Sequence, residues 1–324
     1  MDIICLGELL IDLFPAEVGR HLTEVSAFYP KPGGAPGNVA VAARRLGLTS
    51  AFIGKVGDDA FGRFLIDTLA AVGVATRGIR LDAEARTTLA FIALPDPHHA
   101  EFVFYRNPGA DTRLRPDELD EELLRHARAL HVGSLSLVAE PSRSATLRAV
   151  EIARAAGALV SFDVNYRPSL WPSPAAAVGA IRELLPLAHV VKVNEDELRL
   201  LTGSDDPETG GATLLAAGPS LVVVTLGAQG SFYRSASGAG SVPAFAVPTV
   251  DAIGCGDAFM AGVLVGLLGG AGGAWSQRLD DATLRPILRY ANAVGALTAT
   301  RAGALPALPT VGEVAAFLRA TGGV

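Results

Sequence analysis

The chain has only two cysteines in 324 residues, Cys5 and Cys255, which excludes a disulfide framework and fits a reducing compartment, the cytoplasm. Lysine is almost as scarce, with Lys31, Lys55 and Lys192 the whole complement. Aromatic residues make up 6% and charged residues 19%, against 50% hydrophobic, so disorder is excluded and a folded globular chain is expected. There is no excess of positive charge. A formal net charge of −6 argues against nucleic acid or an anionic membrane as the main partner. It leaves room for a phosphorylated small molecule held by backbone amides and a few arginines. The opening "MDIICLGELLIDLFP" has no basic region, carries Asp2 and Glu8, and reads as a first strand, not a signal peptide. Residues 258–277 carry no charge, but "GGAGG" at 269–273 should end a helix there, so a buried core helix is expected in place of a membrane span. No internal repeat or low-complexity linker divides the chain, whose length suits one large domain or two ordinary ones.

What is present is an alternation. "ALHVGSL" (129–135), "ALVSFDV" (158–164), "AHVVKV" (188–193) and "LVVVTL" (221–226) read as buried strands, with helices over 141–156, 173–187 and 195–217 between them. Continuous apolar strands separated by helices imply a mainly parallel sheet covered on both faces, with ligands at the carboxyl ends of its strands. "EVSAFYPK" (24–31), "TTLAFIAL" (87–94) and "EFVFYR" (101–106) look half-exposed and break the pattern, the last two joined by a hairpin turn at 95–100. A small sheet standing off the main layer would make a lid, and lids exclude water from phosphoryl transfer. The plain alternative is an edge hairpin.

Two glycine clusters carry chemistry. In "DAIGCGDAFMAG" (251–262), a helix beginning near Gly256 would leave the amides of 254–257 pointing at an anion. Asp257 beside that anion suits a base that takes a proton from an attacking hydroxyl, or is an ordinary acid favoured by the helix dipole. In "KPGGAPGNVAVAARRLG" (31–47), Gly33 and Gly34 would admit a small polar ligand and Asn38 offers an amide, or the stretch is a tight turn before a helix. It lacks the Lys-Ser/Thr of a P-loop, and no dinucleotide fingerprint follows a strand. Asn194 and Glu197 in "VNEDEL" either orient magnesium-bound waters or cap a helix. "VTLGAQG" (224–230) runs from a buried strand into a glycine-bounded turn that suits a nucleotide or a hairpin equally. His98 and His99 lack metal-ligand spacing to another cluster and read as solvated turn residues.

In order along the chain, "GELLIDLFP", "PGGAPGNVA", "FIGKVGDDAFG", "FYRNPGAD", "HVGSLSL", "VNEDE", "VTLGAQG" and "DAIGCGDAFMAG" closely resemble the PfkB, ribokinase-like, carbohydrate kinases, from residue 3 to about 305. Within that family "ARTTLAF", "FYRNPGAD" and "DVNYRPSLWP" have the look of the fructokinases. The resemblance implies a single α/β domain over 1–324, a three-layer sandwich with a mainly parallel central sheet and a lid from insertions at about 12–32 and 86–110. It implies a sugar kinase using ATP and Mg²⁺, possible use of K⁺, and a homodimer formed through the lid. By the same resemblance Asp257 is the catalytic base, with Gly254, Cys255 and Gly256 the anion-hole loop. Asp12, Gly33, Gly34, Asn38, Arg106 and Arg167 fall to the sugar. Asn194, Thr225, Gly227, Gly230 and Asn292 fall to the nucleotide, Glu197 to Mg²⁺ through water, and Asp251 to a monovalent cation. The second signature departs from the family's Asp-Thr-x-Gly-Ala-Gly-Asp by Ala252 and Cys255. The amides survive both changes, while the lost threonine hydroxyl weakens the cation site. A thiol at a helix start should have a lowered pKa, so Cys255 is either a reactive thiol shielded by ATP or merely a small residue. The rival substrate is 2-keto-3-deoxygluconate, whose carboxylate would meet Arg106 and Arg167. Phe104, where such enzymes often carry tyrosine, favours a neutral sugar. A catalytically silent sugar-binding protein on the same fold is the remaining alternative, against which the retained acids speak.

Overall fold

The computed structural model describes residues 1–96, 99–269 and 274–322. Its strands are β1 (Ile3–Leu6), β2 (Leu10–Pro15), β3 (Phe28–Gly33), β4 (Ser50–Gly57), β5 (Ala75–Asp82), β6 (Leu89–Asp96), β7 (His99–Tyr105), β8 (Ala129–Gly133), β9 (Leu159–Asp163), β10 (Val190–Asn194), β11 (Leu221–Thr225), β12 (Ser231–Ser235) and β13 (Gly238–Val242). Nine of them form one sheet in the order β13-β12-β11-β10-β9-β8-β1-β4-β5. From β11 to β5 every pairing is parallel, and β12 and β13 close one edge antiparallel.

Alternation along β1 shows why the sheet is covered twice. Ile3 and Cys5 pack into one core with the helices Ala35–Arg45, Cys255–Leu268 and Asp281–Ala299. Ile4 and Leu6 pack into another with Ser142–Ala155 and Pro174–Leu184. Successive strand residues face opposite sides, so a continuous apolar run needs helices on both. Cys255–Leu268 is apolar nearly all round because it is buried between neighbouring helices, and it ends at Leu268, with Gly269 as its cap, as the glycine run requires. No described helix is long and apolar enough to cross a membrane.

The expected helix over 195–217 is two helices, Glu195–Thr202 and Pro207–Ala216. Gly203 turns left-handed at φ +74°, and the Asp206 carboxylate accepts the Thr209 amide at 3.0 Å to start the second. The strand expected from 24 begins only at Phe28, after a 3₁₀ turn at Leu22–Glu24.

The four other strands pair as β3-β2-β6-β7, antiparallel except for parallel β2–β6. Register sorts this small sheet into two faces. Asp12 lies opposite Lys31 and Ala90, on the face that also holds Phe102 and Phe104, whereas Leu13, Phe91 and Val103 share the other. β6 runs to Asp96 and β7 begins at His99, so the described part of the turn expected at 95–100 is strand. Residues 97–98, His98 among them, lie outside the described residues, and so does the ring of His99.

Candidate active site

The chain lays down β1, β4 and β5 in one direction across the sheet and β8 to β11 in the other, so β1 and β8 are neighbours at the point where the order reverses. In open parallel sheets the crevice for ligands opens there, at the strand carboxyl ends. Asp163, Asn194 and Thr225 are each the last residue of their strand, and Asn194 and Thr225 lie side by side in register.

Over this crevice stands the start of the helix Cys255–Leu268. Gly254 precedes it at φ +82°, where an added Cβ would also come 3.1 Å from the Cα of Ala304. The Cys255 amide turns back to the Ala252 carbonyl at 3.3 Å, so the donors left in the first turn are those of Gly256 and Asp257. Asp251 staples the loop shut: its two oxygens accept from the amides of Ile253 (2.9 Å) and Gly303 (2.8 Å).

Asp257 is partly buried and accepts a hydrogen bond from Asn38 Nδ2 at 2.7 Å. Burial and the charge of Asp163 push its pKa up to about 6, against the opposing pull of Asn38, Lys192 and Arg167. Asn38 reaches it from the first turn and a half of Ala35–Arg45, and its Oδ1 has no partner among the described residues. Asp12, on β2, is pushed up to about 7, first by burial and then by the nearby Asp257. Two carboxylates and an amide therefore converge on one space.

The glycine pair makes this convergence possible. A Cβ at Gly33 would lie 2.6 Å from Asp12 Cγ, and one at Gly34, already at φ +104°, 2.5 Å from the Glu8 carbonyl oxygen. Arg167 supplies positive charge to Asp12 and Asp257 and lies over the Phe102 ring, 5.9 Å from its centroid. Arg106 is otherwise engaged. It is buried in an ion pair with Asp111, Nη2 to Oδ2 at 2.6 Å, and donates to the Leu135 carbonyl. It lines a cavity of about 620 Å³ that contains neither Asp12 nor Asp257. The other cations of that cavity are paired too, Lys55 with Glu118, Arg113 with Asp82 and Arg115 with Asp117.

At the end of β10, Asn194 and Glu197 form a reciprocal cap on the helix Glu195–Thr202. Asn194 Oδ1 accepts the Glu197 amide and Glu197 Oε2 accepts the Asn194 amide, both at 2.8 Å. Glu197 Oε1 also accepts the Tyr166 amide at 2.7 Å, so each oxygen keeps only its second lone pair for water. Gly227 (φ +53°) and Gly230 (φ +106°) shape the turn after Thr225. Asn292 is buried and donates to the Val242 and Pro243 carbonyls at 3.0 and 3.1 Å, tying its helix to the loop after β13. The start of Cys255–Leu268 thus meets β10 at Lys192, and β10 pairs with β11, which leads into the glycine turn.

The profile of the pfkB family carbohydrate kinases matches residues 1–311. This chain belongs to the pfkB family. It is similar to fructokinase-1 of Zea mays, at 46% identity over 96% of each chain. Among solved structures it is similar to a fructokinase from Xylella fastidiosa with bound ATP (TM-score 0.90, 35% identity, 99% of each chain). It is also similar to a fructokinase double mutant from Vibrio cholerae O395 in its fructose-, ADP- and potassium-bound form (TM-score 0.87, 34% identity, 98% of each chain). The pfkB kinases are phosphotransferases, and the ribokinase-like sandwich with its small sheet is present here.

One expectation for this pfkB kinase fails. Cys255 does not have a lowered pKa: burial, then the charges of Asp251 and Asp257, push the thiol up to about 12. The helix start favours a thiolate by a kcal/mol or so, and desolvation with two adjacent carboxylates outweighs it. Cys255 is therefore expected to react with a maleimide far more slowly than a free thiol at pH 7.5, with or without ATP. Labelling followed by mass spectrometry checks this, and rapid ATP-sensitive labelling would contradict it.

Three residues beside Asp257 and the glycine turn escape the sequence reading. Glu8 is 3% exposed, accepts the Ala35 amide at 3.1 Å and so fixes the glycine turn; burial pushes its pKa up to about 7. Asp163 and Lys192 form a buried ion pair, Nζ to Oδ2 at 2.9 Å, beside Asp257. The one signal for Lys192 was its rarity: a lysine inside the apolar run "AHVVKV" needs a partner.

Proposed function

We propose that this carbohydrate kinase phosphorylates fructose, ATP + D-fructose giving ADP + fructose 6-phosphate, with Asp257 as the base. The observation that carries the mechanism is Asp257 at the helix start, held by Asn38, with a pKa raised to about 6. A base of that pKa is ionised at neutral pH yet basic enough to take a proton in the transition state. Asp12 and Asn38 would hold sugar hydroxyls, placing the primary hydroxyl at Asp257. As its proton moves to Asp257, the hydroxyl oxygen attacks the γ-phosphoryl in line, and ADP leaves. The amides of Gly256 and Asp257 face the charge on the transferring group. Thr225, Gly227 and Gly230 would border the nucleotide, with Asn292 behind them.

Among the described residues no three acids, histidines or cysteines gather as a metal cage. That fits magnesium, which keeps most of its waters and is carried by substrate phosphates, with Glu197 and Asn194 meeting it through water. Bound, it would neutralise the phosphate oxygens. Potassium at Asp251 fits less well: Ala252 has no hydroxyl, and both carboxylate oxygens already accept amides. No step uses it. ATP and a free sugar as substrates accord with a cytoplasmic enzyme.

Arg106 favours the neutral sugar over 2-keto-3-deoxygluconate, because its charge is already used by Asp111. The deciding experiment is ATP turnover with Mg²⁺ on fructose, ribose, glucose and 2-keto-3-deoxygluconate in parallel. Fructose is expected to give the highest kcat/KM. A preference for the keto acid would replace the substrate and keep the mechanism, and silence on all four would favour a binding protein.

We also propose that the small sheet is a lid and that two copies meet through its outer face. Phe91 there contacts the Phe28 and Tyr105 rings, and Val103 and Tyr105 are 42% and 65% exposed. Aromatic residues exposed together on a sheet face mark an interaction surface. Light scattering is expected to give a dimer for the parent chain and a monomer for Val103→Glu; a dimer for both would remove this face from the interface.

A further inference from the structure

We propose that Lys192 is a catalytic residue of this kinase, its ammonium forming the charged floor of the phosphoryl site beneath Gly256. The inference rests on the kinase reading and on a phosphoryl group seated at the start of Cys255–Leu268.

Gly256 is the telling position. Gly254 needs glycine because of its positive φ, but Gly256 lies in the first helical turn and has no such requirement. What glycine supplies there is space. A Cβ at 256 would lie 3.0 Å from Lys192 Nζ and 3.6 Å from its Cε, so the bare Cα lets the ammonium come up against the helix turn whose amides face the anion.

The ammonium has a donor to offer. Two of its three N–H groups point to Asp163, at 3.0 and 2.9 Å, and no further partner exists among the described residues. Lys192 is 6% exposed, so water is largely excluded from that third donor. Burial alone would discharge it, but Asp163 foremost, then Glu197 and Asp257, keep it protonated. It is thus a fixed cation in a site otherwise rich in carboxylates: Asp12, Asp163, Glu197 and Asp257. A triphosphate adds more negative charge to that site, and in the transition state charge spreads over the transferring group's equatorial oxygens. A buried ion pair adds little net stability. A cation already desolvated beside developing charge adds a great deal to catalysis, because no solvent has to reorganise.

The test is Lys192→Met beside the double variant Asp163→Asn/Lys192→Met, each assayed for kcat, for both KM values and for ADP binding by calorimetry. The single variant removes the cation but strands the Asp163 charge; the double removes both and restores a neutral pair. Both variants are expected to lose about 10²–10³-fold in kcat, the cost of one fixed donor to transition-state charge, with KM and ADP affinity within about threefold. If the double variant recovers kcat, Lys192 merely neutralises Asp163 and the proposal falls. Unchanged kcat in the single variant overturns it equally. If the single variant fails to fold, the double decides alone. Parent turnover on fructose in the same assay tests the kinase reading separately.

Discussion

Asp257→Asn is expected to lower kcat by about 10²–10⁴-fold, the usual cost of losing a general base, while leaving ATP binding intact. It should also make the ligand-free protein more stable at pH 8. The Asp257 carboxyl titrates near 6 in the fold against an ordinary 3.8, so the folded state binds more protons than the unfolded chain between about pH 4 and 6. Stability therefore falls as pH rises through that window, and above it the full cost stands. A tenfold difference in proton affinity between folded and unfolded chain is worth about 1.4 kcal/mol, so after solvent screening the cost is about 2 kcal/mol. Asparagine cannot ionise and does not carry it. Thermal unfolding should show Asp257→Asn ahead of the parent by a few degrees at pH 8, with the gap gone at pH 4. Undiminished turnover would end the mechanism, and a gap independent of pH would remove the titration of Asp257 as its cause.

The same physics explains which residues could be read from the sequence. Gly34, Gly254 and Asp257 were legible because each answers a local demand: a positive φ, or an acid at a helix start beside glycines. The parallel sheet was legible because strands covered on both faces are apolar at every position. Lys192 and Asp163 were not, since each ends or interrupts an apolar run and only pairing across β9 and β10 shows that they meet. The break at Gly203 was hidden by a helix-forming sequence on both sides. Cys255 failed for a different reason. The helix-start rule is local, whereas the field at the thiol is set by Asp251, Asp257 and burial. Arg106 shows the limit from the other side, because its sequence setting matches a substrate contact and only the fold reveals Asp111 against it.

Gly33→Ala should separate sugar binding from folding. Gly33 has no positive φ, so alanine brings no backbone strain, and its Cβ meets the Asp12 carboxyl group, whose Cγ would be 2.6 Å away. The carboxylate is the free end of a side chain and can swing aside. Folding should therefore survive, the more so because Asp12 leaves a place that raises its pKa to about 7. Moving a sugar ligand by an ångström is expected to cost about 10²-fold in kcat/KM for fructose. The ATP KM should hold, since the turn proposed for the nucleotide, at Thr225 to Gly230, is left untouched. Gly34→Ala is the contrast. There φ is +104° and the Cβ would strike the Glu8 backbone at 2.5 Å, so the chain itself must move and the melting temperature should fall. A Gly33→Ala variant with an unchanged fructose KM and kcat would mean that Asp12 does not hold the sugar. One that lost both substrates together with its stability would mean that the two glycines serve a single structural turn.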